Sequence, residues 1–299
     1  MTATQIAVPV RRGHTPGRLI AAEVMKIRTT NVWWLLTLGI VLFTALALTA
    51  NGFNHHFTLY PPLNQVGSAN RQEAITQAAI AHSPAGLQAI AADMLTSGQF
   101  FGCLLAMLIG ILVVTNEYFH QTATATFMTN PHRTAVIMAK LVAAALFAAM
   151  FWLVSTILNV ITTPIYLHTQ HVDVSLTQWP VTRSVLLNLL AFVMWAVFGL
   201  GLGTLIRSQI GAVVTGMAVY LIGLAAVAII FHLIYNAYPH SWVLAAQVIS
   251  PAVASQVMIS PGRAFDHAPP QYVGLLVMIG YAVVFGGLGI WLTRRRDIS

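Results

Sequence analysis

Lys26-Ile27-Arg28-Thr29-Thr30-Asn31-Val32-Trp33-Trp34-Leu35-Leu36-Thr37-Leu38-Gly39-Ile40-Val41-Leu42-Phe43-Thr44-Ala45-Leu46-Ala47-Leu48-Thr49-Ala50 joins two basic residues to an uncharged, almost wholly apolar run. A helix needs ~20 apolar residues to cross a hydrocarbon core of ~30 Å, and Val32–Ala50 has that length. Indole rings favour the water–lipid boundary, and short Lys/Arg-rich segments stay cytoplasmic. Trp33 and Trp34 therefore mark the boundary, with Lys26 and Arg28 on its inner side.

Five further runs read the same way: Gln99–Thr115, Ala135–Ile165, Val185–Ile206, Ile210–Ile234 and Tyr272–Thr293. With six spans, Arg11, Arg12, Arg18, Lys26, Arg28, Arg133, Lys140, Arg207, Arg294, Arg295 and Arg296 share one face. Arg71, Arg183 and Arg263 lie opposite. The expectation is an all-α, multi-pass protein of the plasma membrane with both termini cytoplasmic. Composition agrees: 58% of residues are hydrophobic and 7% charged, against about 25% charged in soluble domains. The net charge of +7 divides by side, with basic residues outnumbering acidic ones inside but not outside. That pattern orients the chain and attracts anionic lipid heads; it is not the footprint of a nucleic-acid binder. Arg outnumbers Lys twelve to two, a bias that fits a bacterial source.

Between the spans, residues 1–17 read as a disordered cytoplasmic tail and residues 18–299 as one membrane domain. Within residues 18–31, Leu19, Ile20, Val24 and Ile27 form one helical stripe, as in a helix lying along the interface, and Glu23 can pair with Lys26. Asn51–Gly67 reads as irregular. Ala69–Thr96 reads as one or two short external helices broken near Ser83-Pro84. Ser241–Ser260 is too interrupted for a seventh span and reads as an external re-entrant or surface helical hairpin, whose backbone protein must shield. Gly199, Gly201 and Gly203, and likewise Gly98 and Gly102, read as close-packing positions. The single Cys103 has no partner and reads as a packing residue.

The segment that carries a mechanism is Thr115-Asn116-Glu117-Tyr118-Phe119-His120-Gln121-Thr122, continuing through Ala123–Met128 and Thr129-Asn130-Pro131-His132-Arg133 to Lys140. A Glu at the end of a span is costly unless paired or wet, and Pro closely followed by Arg marks a turn into the next helix. This stretch resembles the first cytoplasmic loop of type-2 ABC exporter permeases, which commonly shows a Glu, a Gly/Gln-Thr, small residues, a Pro, a basic residue and then a Lys. Gln121 stands where many members have Gly. Glu23-Val24-Met25-Lys26-Ile27-Arg28 is similar to the family's interfacial motif. Gly199-Leu200-Gly201-Leu202-Gly203 with Arg207-Ser208 resembles its fourth span and inner turn, and Arg294-Arg295-Arg296-Asp297-Ile298 its ending.

The resemblance implies a permease subunit of an ATP-driven exporter. A dimer of separate cytosolic ATPase subunits would dock on residues 116–134 and on the interfacial helix, holding the ATP and Mg, and a second permease chain would complete the pathway. The chain itself has no phosphate-binding loop and is not expected to be an enzyme or to bind a cofactor or metal. On this reading Glu117, Tyr118, Phe119, Thr122, Pro131, Arg133, Lys140, Glu23, Lys26 and Arg28 couple to the ATPase, with Glu117 tied to Arg28, Arg133 or Lys140. Phe100, Phe101, Asn159, Asn188, Met217 and Tyr220 are the candidate pathway residues, and their apolar surroundings favour a lipid, lipophilic drug or amphipathic peptide. Other classes fare worse. His168, His171 and Asp173 lack convincing metal-ligand spacing, no hydrolase or zinc-protease motif exists, and a proton-coupled secondary transporter, the main alternative, needs titratable groups deep in the bundle.

Overall fold

The computed structural model describes residues 16–65, 67–122, 124, 126, 128, 132–206, 208–262, 264–265 and 267–295. Among these, regular structure is entirely helical. Helix α1 spans Pro16–Arg28, α2 Val32–Leu59, α3 Ser68–Ala81, α4 Pro84–Leu95, α5 Gln99–Phe119, α6 Arg133–Thr169, α7 Trp179–Leu205 and α8 Gln209–Ala237. Helix α9 spans Ser241–Ala245, runs into a 3₁₀ turn at Ala246–Ile249, and is followed by α10 (Pro251–Ile259) and α11 (Gln271–Arg295). Six segments are long and apolar enough to cross a membrane: α2, α4 with α5, α6, α7, α8 and α11.

The core lies along α5 and α7. Gly102, Cys103, Leu104, Ala106, Met107, Ile109 and Ile111 of α5 face Ala191, Phe192, Trp195, Ala196 and Leu200 of α7, all buried. Glycine permits this closeness. A Cβ at Gly199 would lie 2.0 Å from the Met107 carbonyl oxygen, and one at Gly110 would lie 2.1 Å from that of Ala196. The two backbones therefore touch, as expected of a small-residue interface. Gly201 does the same for α11, where a Cβ would meet the Phe285 carbonyl oxygen at 2.4 Å. In contrast, only Ala212, Gly216 and Tyr220 of α8 are buried, and α2 buries only Ile40, Thr44, Gly52 and Leu59.

The connections expected on the outer side differ in part from expectation. Helix α2 does not stop at Ala50 but continues through Asn51–Leu59, so this stretch is not irregular. Tertiary contacts override its polar composition: the Tyr166 hydroxyl donates to the Gly52 carbonyl (2.7 Å) and Asn51 Nδ2 to Ser97 Oγ (2.9 Å). Leu59 packs with Ile90, Met94, Leu167 and Val181 in a second core. The break at Ser83-Pro84 is present, with Ser83 Oγ capping α4 by accepting from the Gly86 amide (3.1 Å). The α9–3₁₀ segment and α10 bend by 103°. Ala252–Ser255 and Val257–Ile259 of α10 are buried, packed against α7 and α11.

Contacts sort the loops onto two ends. At one end, Arg133 Nη1 donates to the Thr293 carbonyl (3.4 Å), Arg294 Nε to Thr134 Oγ1 (3.0 Å) and Gln209 Nε2 to Asn116 Oδ1 (2.9 Å). At the other, the Tyr60 hydroxyl donates to the Gln170 carbonyl (2.7 Å) and Gln88 bonds Gln178.

Candidate functional site

The site is built where α1 crosses the ends of α5 and α6. On α1, Glu23 and Ile27 share the buried stripe one turn apart. On α6, Lys140 lies among buried Val136, Ile137, Ala139, Ala143 and Ala144. On α5, Glu117 is buried two residues before the helix ends. Each charge is thus drawn inward by apolar neighbours on its own helix face, and an unpaired buried charge costs several kcal/mol. The three helices meet so that none is unpaired.

Lys26 Nζ donates to Glu23 Oε1 (2.7 Å) and Glu117 Oε1 (2.6 Å). Lys140 Nζ, with a side chain only 3% exposed, lies 2.7 Å from Glu23 Oε2 and 2.8 Å from Glu117 Oε1. It also donates to the Val113 carbonyl (3.3 Å). An ammonium has three donors and no acceptor, so Lys140 is saturated. Two carboxylates and two ammoniums sum to zero charge. Partial burial alone would lower the pKa of Lys26, but its bonds to Glu117 and Glu23 outweigh this and hold it above the ordinary lysine range.

The end of α5 shapes the exit into the coupling segment. Gln121 has φ +56°, the left-handed conformation that glycine adopts most easily. The Thr122 amide bonds the Glu117 carbonyl (2.9 Å) and the Gln121 amide that of Tyr118 (3.3 Å). This is a Schellman cap, and it accounts physically for the glycine that resembling loops carry here. Thr126 Oγ1 donates back to Glu117 Oε1 (3.3 Å), so the same carboxylate also holds the segment beyond the cap.

The sequence-derived partners of Glu117 need correction. Lys140 is one, but neither Arg28 nor Arg133 pairs with it. Lys26 does, because its ammonium reaches both Glu23 and Glu117, whereas Arg28 lies beside Trp33 and Leu146 at the elbow of α1, α2 and α6. Arg133 instead reaches the end of α11. Tyr118 packs partly buried against the main core, Phe119 is exposed, and Thr122 completes the cap. Pro131 lies outside the described residues. Sequence reading missed the Glu23–Lys140 pair and the Gln209–Asn116 bond. The signal for the former was present: single charges in phase with a buried stripe on two different helices must find each other.

The candidate pathway residues do not converge. Phe100 and Tyr220 form one aromatic group with Trp195, and the buried Tyr220 hydroxyl donates to the Phe100 carbonyl (2.6 Å). Phe101 stacks on Phe43 (4.3 Å). Phe100 and Phe101 both line a cavity of about 500 Å³ between α2, the α4–α5 junction and α10. Asn159 is fully buried elsewhere, where Nδ2 donates to the carbonyls of Leu95 and Ser97 (both 3.0 Å) and stitches the α4–α5 break. Asn188 is fully buried on α7, and Met217 is exposed on α8.

A search among curated proteins finds no match to the chain. The family model described as ABC-2 family transporter protein matches residues 18–298, taking in the charge cluster, the glycine seam and all six apolar spans. The chain therefore belongs to the ABC-2 family, as a membrane-spanning transport subunit of an ABC transporter.

Proposed function

We propose that this chain is the permease of a bacterial ATP-driven exporter in which force enters through α1 and the segment 116–134. A dimer of cytosolic ABC ATPases, holding ATP and Mg, docks on that surface, and a second permease chain, identical or homologous, completes the pathway. The basic end of the bundle then faces the cytoplasm, α1 lies at the interface, and the bent α9–α10 segment is a re-entrant hairpin on the outer side. The substrate is lipophilic or amphipathic: the pathway candidates that reach a cavity, Phe100 and Phe101, line it with apolar Phe43, Leu46 and Ile259 on the one hand and polar Asn51, Asp93, Gln99 and Gln256 on the other, a mixed lining that suits an amphipathic molecule better than a purely apolar one.

The observation that carries this reading is the closed four-charge cluster. A push on α1 or on the cap after Glu117 cannot be absorbed locally, because Lys26 and Lys140 each bridge both carboxylates at 2.6–2.8 Å. The inner parts of α1, α5 and α6 move together, and α5 carries the motion into the core. Both carboxylates are neutralised by lysines, which also weighs against their acting as proton carriers in a proton-coupled transporter.

The test is co-purification of the tagged chain with the ATPase encoded nearest to it, followed by ATPase and transport assays of Glu117→Ala and Arg133→Ala complexes. A stable complex whose hydrolysis continues while transport is lost in Glu117→Ala supports coupling through the cluster. Failure of any ATPase to associate, or normal transport in Glu117→Ala, overturns it.

A further inference from the structure

A groove of about 380 Å³ lies at the elbow of α1, α2 and α6, lined by Val24, Arg28, Trp33, Leu146, Phe147 and Met150. Five of these are apolar or aromatic and one is a cation. The nearby carboxylates, Glu23 and Glu117, are held by Lys26 and Lys140, and Arg28 makes no ion pair among the described residues. The groove is thus a hydrophobic slot with an unneutralised guanidinium at its rim. Trp33 Nε1 donates to the Arg28 carbonyl (3.1 Å), which fixes the indole beside that rim, at the level indoles occupy in a bilayer. From the slot an exposed apolar track continues along α6 through Leu146, Leu153 and Ile157. Eleven residues at 1.5 Å each give about 16 Å, the depth of one leaflet of a ~30 Å core.

We propose that this elbow binds one anionic phospholipid per chain, with its phosphate on Arg28, its glycerol region against Trp33 and its acyl chains along Leu146–Ile157. A guanidinium matches a phosphate by paired donors. Among the described residues, no carboxylate lines the groove to compensate Arg28, so a head group bearing its own ammonium is disfavoured. A soluble protein partner fits less well, because the slot opens onto the apolar track rather than onto polar surface. The site depends only on the chain spanning a bilayer and not on ATPase coupling, so the two readings fail separately.

The experiment uses the full chain purified without an ATPase. Phosphatidylglycerol and phosphatidylcholine with identical acyl chains are compared for retention by native mass spectrometry, and a phosphatidylglycerol bearing a diazirine on its acyl chain is photolysed on the wild-type protein. The expected results are one tightly retained phosphatidylglycerol per chain, labelling within residues 146–157, and roughly fivefold weaker retention in Arg28→Gln, since one basic residue at the surface contributes about that factor. Met150→Trp, which fills the slot, abolishes the label there. Equal retention of both lipids, labelling spread evenly over α2 and α8, or unchanged preference in Arg28→Gln each overturns the proposal.

Discussion

Lys140→Met is the sharpest perturbation of the charge cluster. It keeps the helix and most of the side-chain volume, but removes an ammonium 2.7 Å from Glu23 Oε2 and 2.8 Å from Glu117 Oε1. At an effective dielectric of about 20, each such pair is worth roughly 6 kcal/mol before desolvation is counted. Removing one partner of a buried pair costs about 3–5 kcal/mol net, because the charge left behind keeps its own desolvation penalty. Here two carboxylates remain, sharing the half-exposed Lys26. On the scale of 2–4 °C per kcal/mol, the melting temperature in detergent falls on the order of 10 °C. Glu23→Gln in the same chain restores neutrality and leaves the Lys26–Glu117 pair. The double variant should therefore be about 2 kcal/mol more stable than the sum of the two single losses, within the range seen for contacting residues. Thermal unfolding followed by tryptophan fluorescence reads all four corners of this cycle. A Lys140→Met protein that melts with the wild type, or a double variant whose loss is simply additive, refutes the claim that the cluster is a closed, mutually compensating unit.

Two further expectations follow from packing. Gly199→Ala places a methyl against the Met107 carbonyl at 2.0 Å and must part α5 from α7, costing about 1–3 kcal/mol or more. Gly223→Ala on α8, with nothing within 4 Å, should be neutral or stabilising by up to ~1 kcal/mol, and melting temperatures of the pair test the contrast. Asn159→Leu removes the buried amide that donates to the Leu95 and Ser97 carbonyls, leaving Ser97 the longer bond from Ser155 Oγ (3.4 Å), and should cost about 1–3 kcal/mol. If Asn159 acts only in the pathway, transport falls while the melting temperature stays fixed.

What could be read from the chain depended on whether the signal was local. The six spans were legible because bilayer thickness imposes a length on each run independently of its neighbours. The Ser83-Pro84 break and the glycine seam were legible for similar reasons, one from turn chemistry and the other from small-residue spacing. Asn51–Leu59 was misread because its helicity comes from Tyr166, Ser97 and the second core, all distant in sequence. The Glu117 partners were half-read. A buried charge announces that it needs a partner, but the topology put Arg28, Arg133 and Lys140 at the same end of the bundle, and only the packing of α1 beside α5 and α6 selects Lys26 with Lys140. Asn159 has the opposite history: an amide inside a span reads as pathway, yet the α4–α5 break supplies two carbonyls that need such a donor. The break itself was placed from the sequence, between external helices ending at Thr96 and a span starting at Gln99, as found; what was not local was its pairing with Asn159, more than sixty residues away.

The distribution of tight and loose contacts also says where the bundle can yield. At Gly110 and Gly199 the α5–α7 seam is backbone on backbone, so small displacements there meet hard repulsion. The corner of α1, α5 and α6 is clamped by charges whose separation would strand a buried carboxylate. Helix α8 differs from both: it buries three residues and meets α5 through the Gln209–Asn116 and Tyr220–Phe100 bonds and the packing of Gly216 beside Met107 and Ile111. On the proposed coupling, a displacement delivered to the clamped corner is carried by α5 and α7 and taken up where α8, less buried than either, meets α5. Phe100, whose carbonyl accepts from Tyr220 and which lines the 500 Å³ cavity, lies at that boundary, so on the same proposal it would join corner movement to cavity shape.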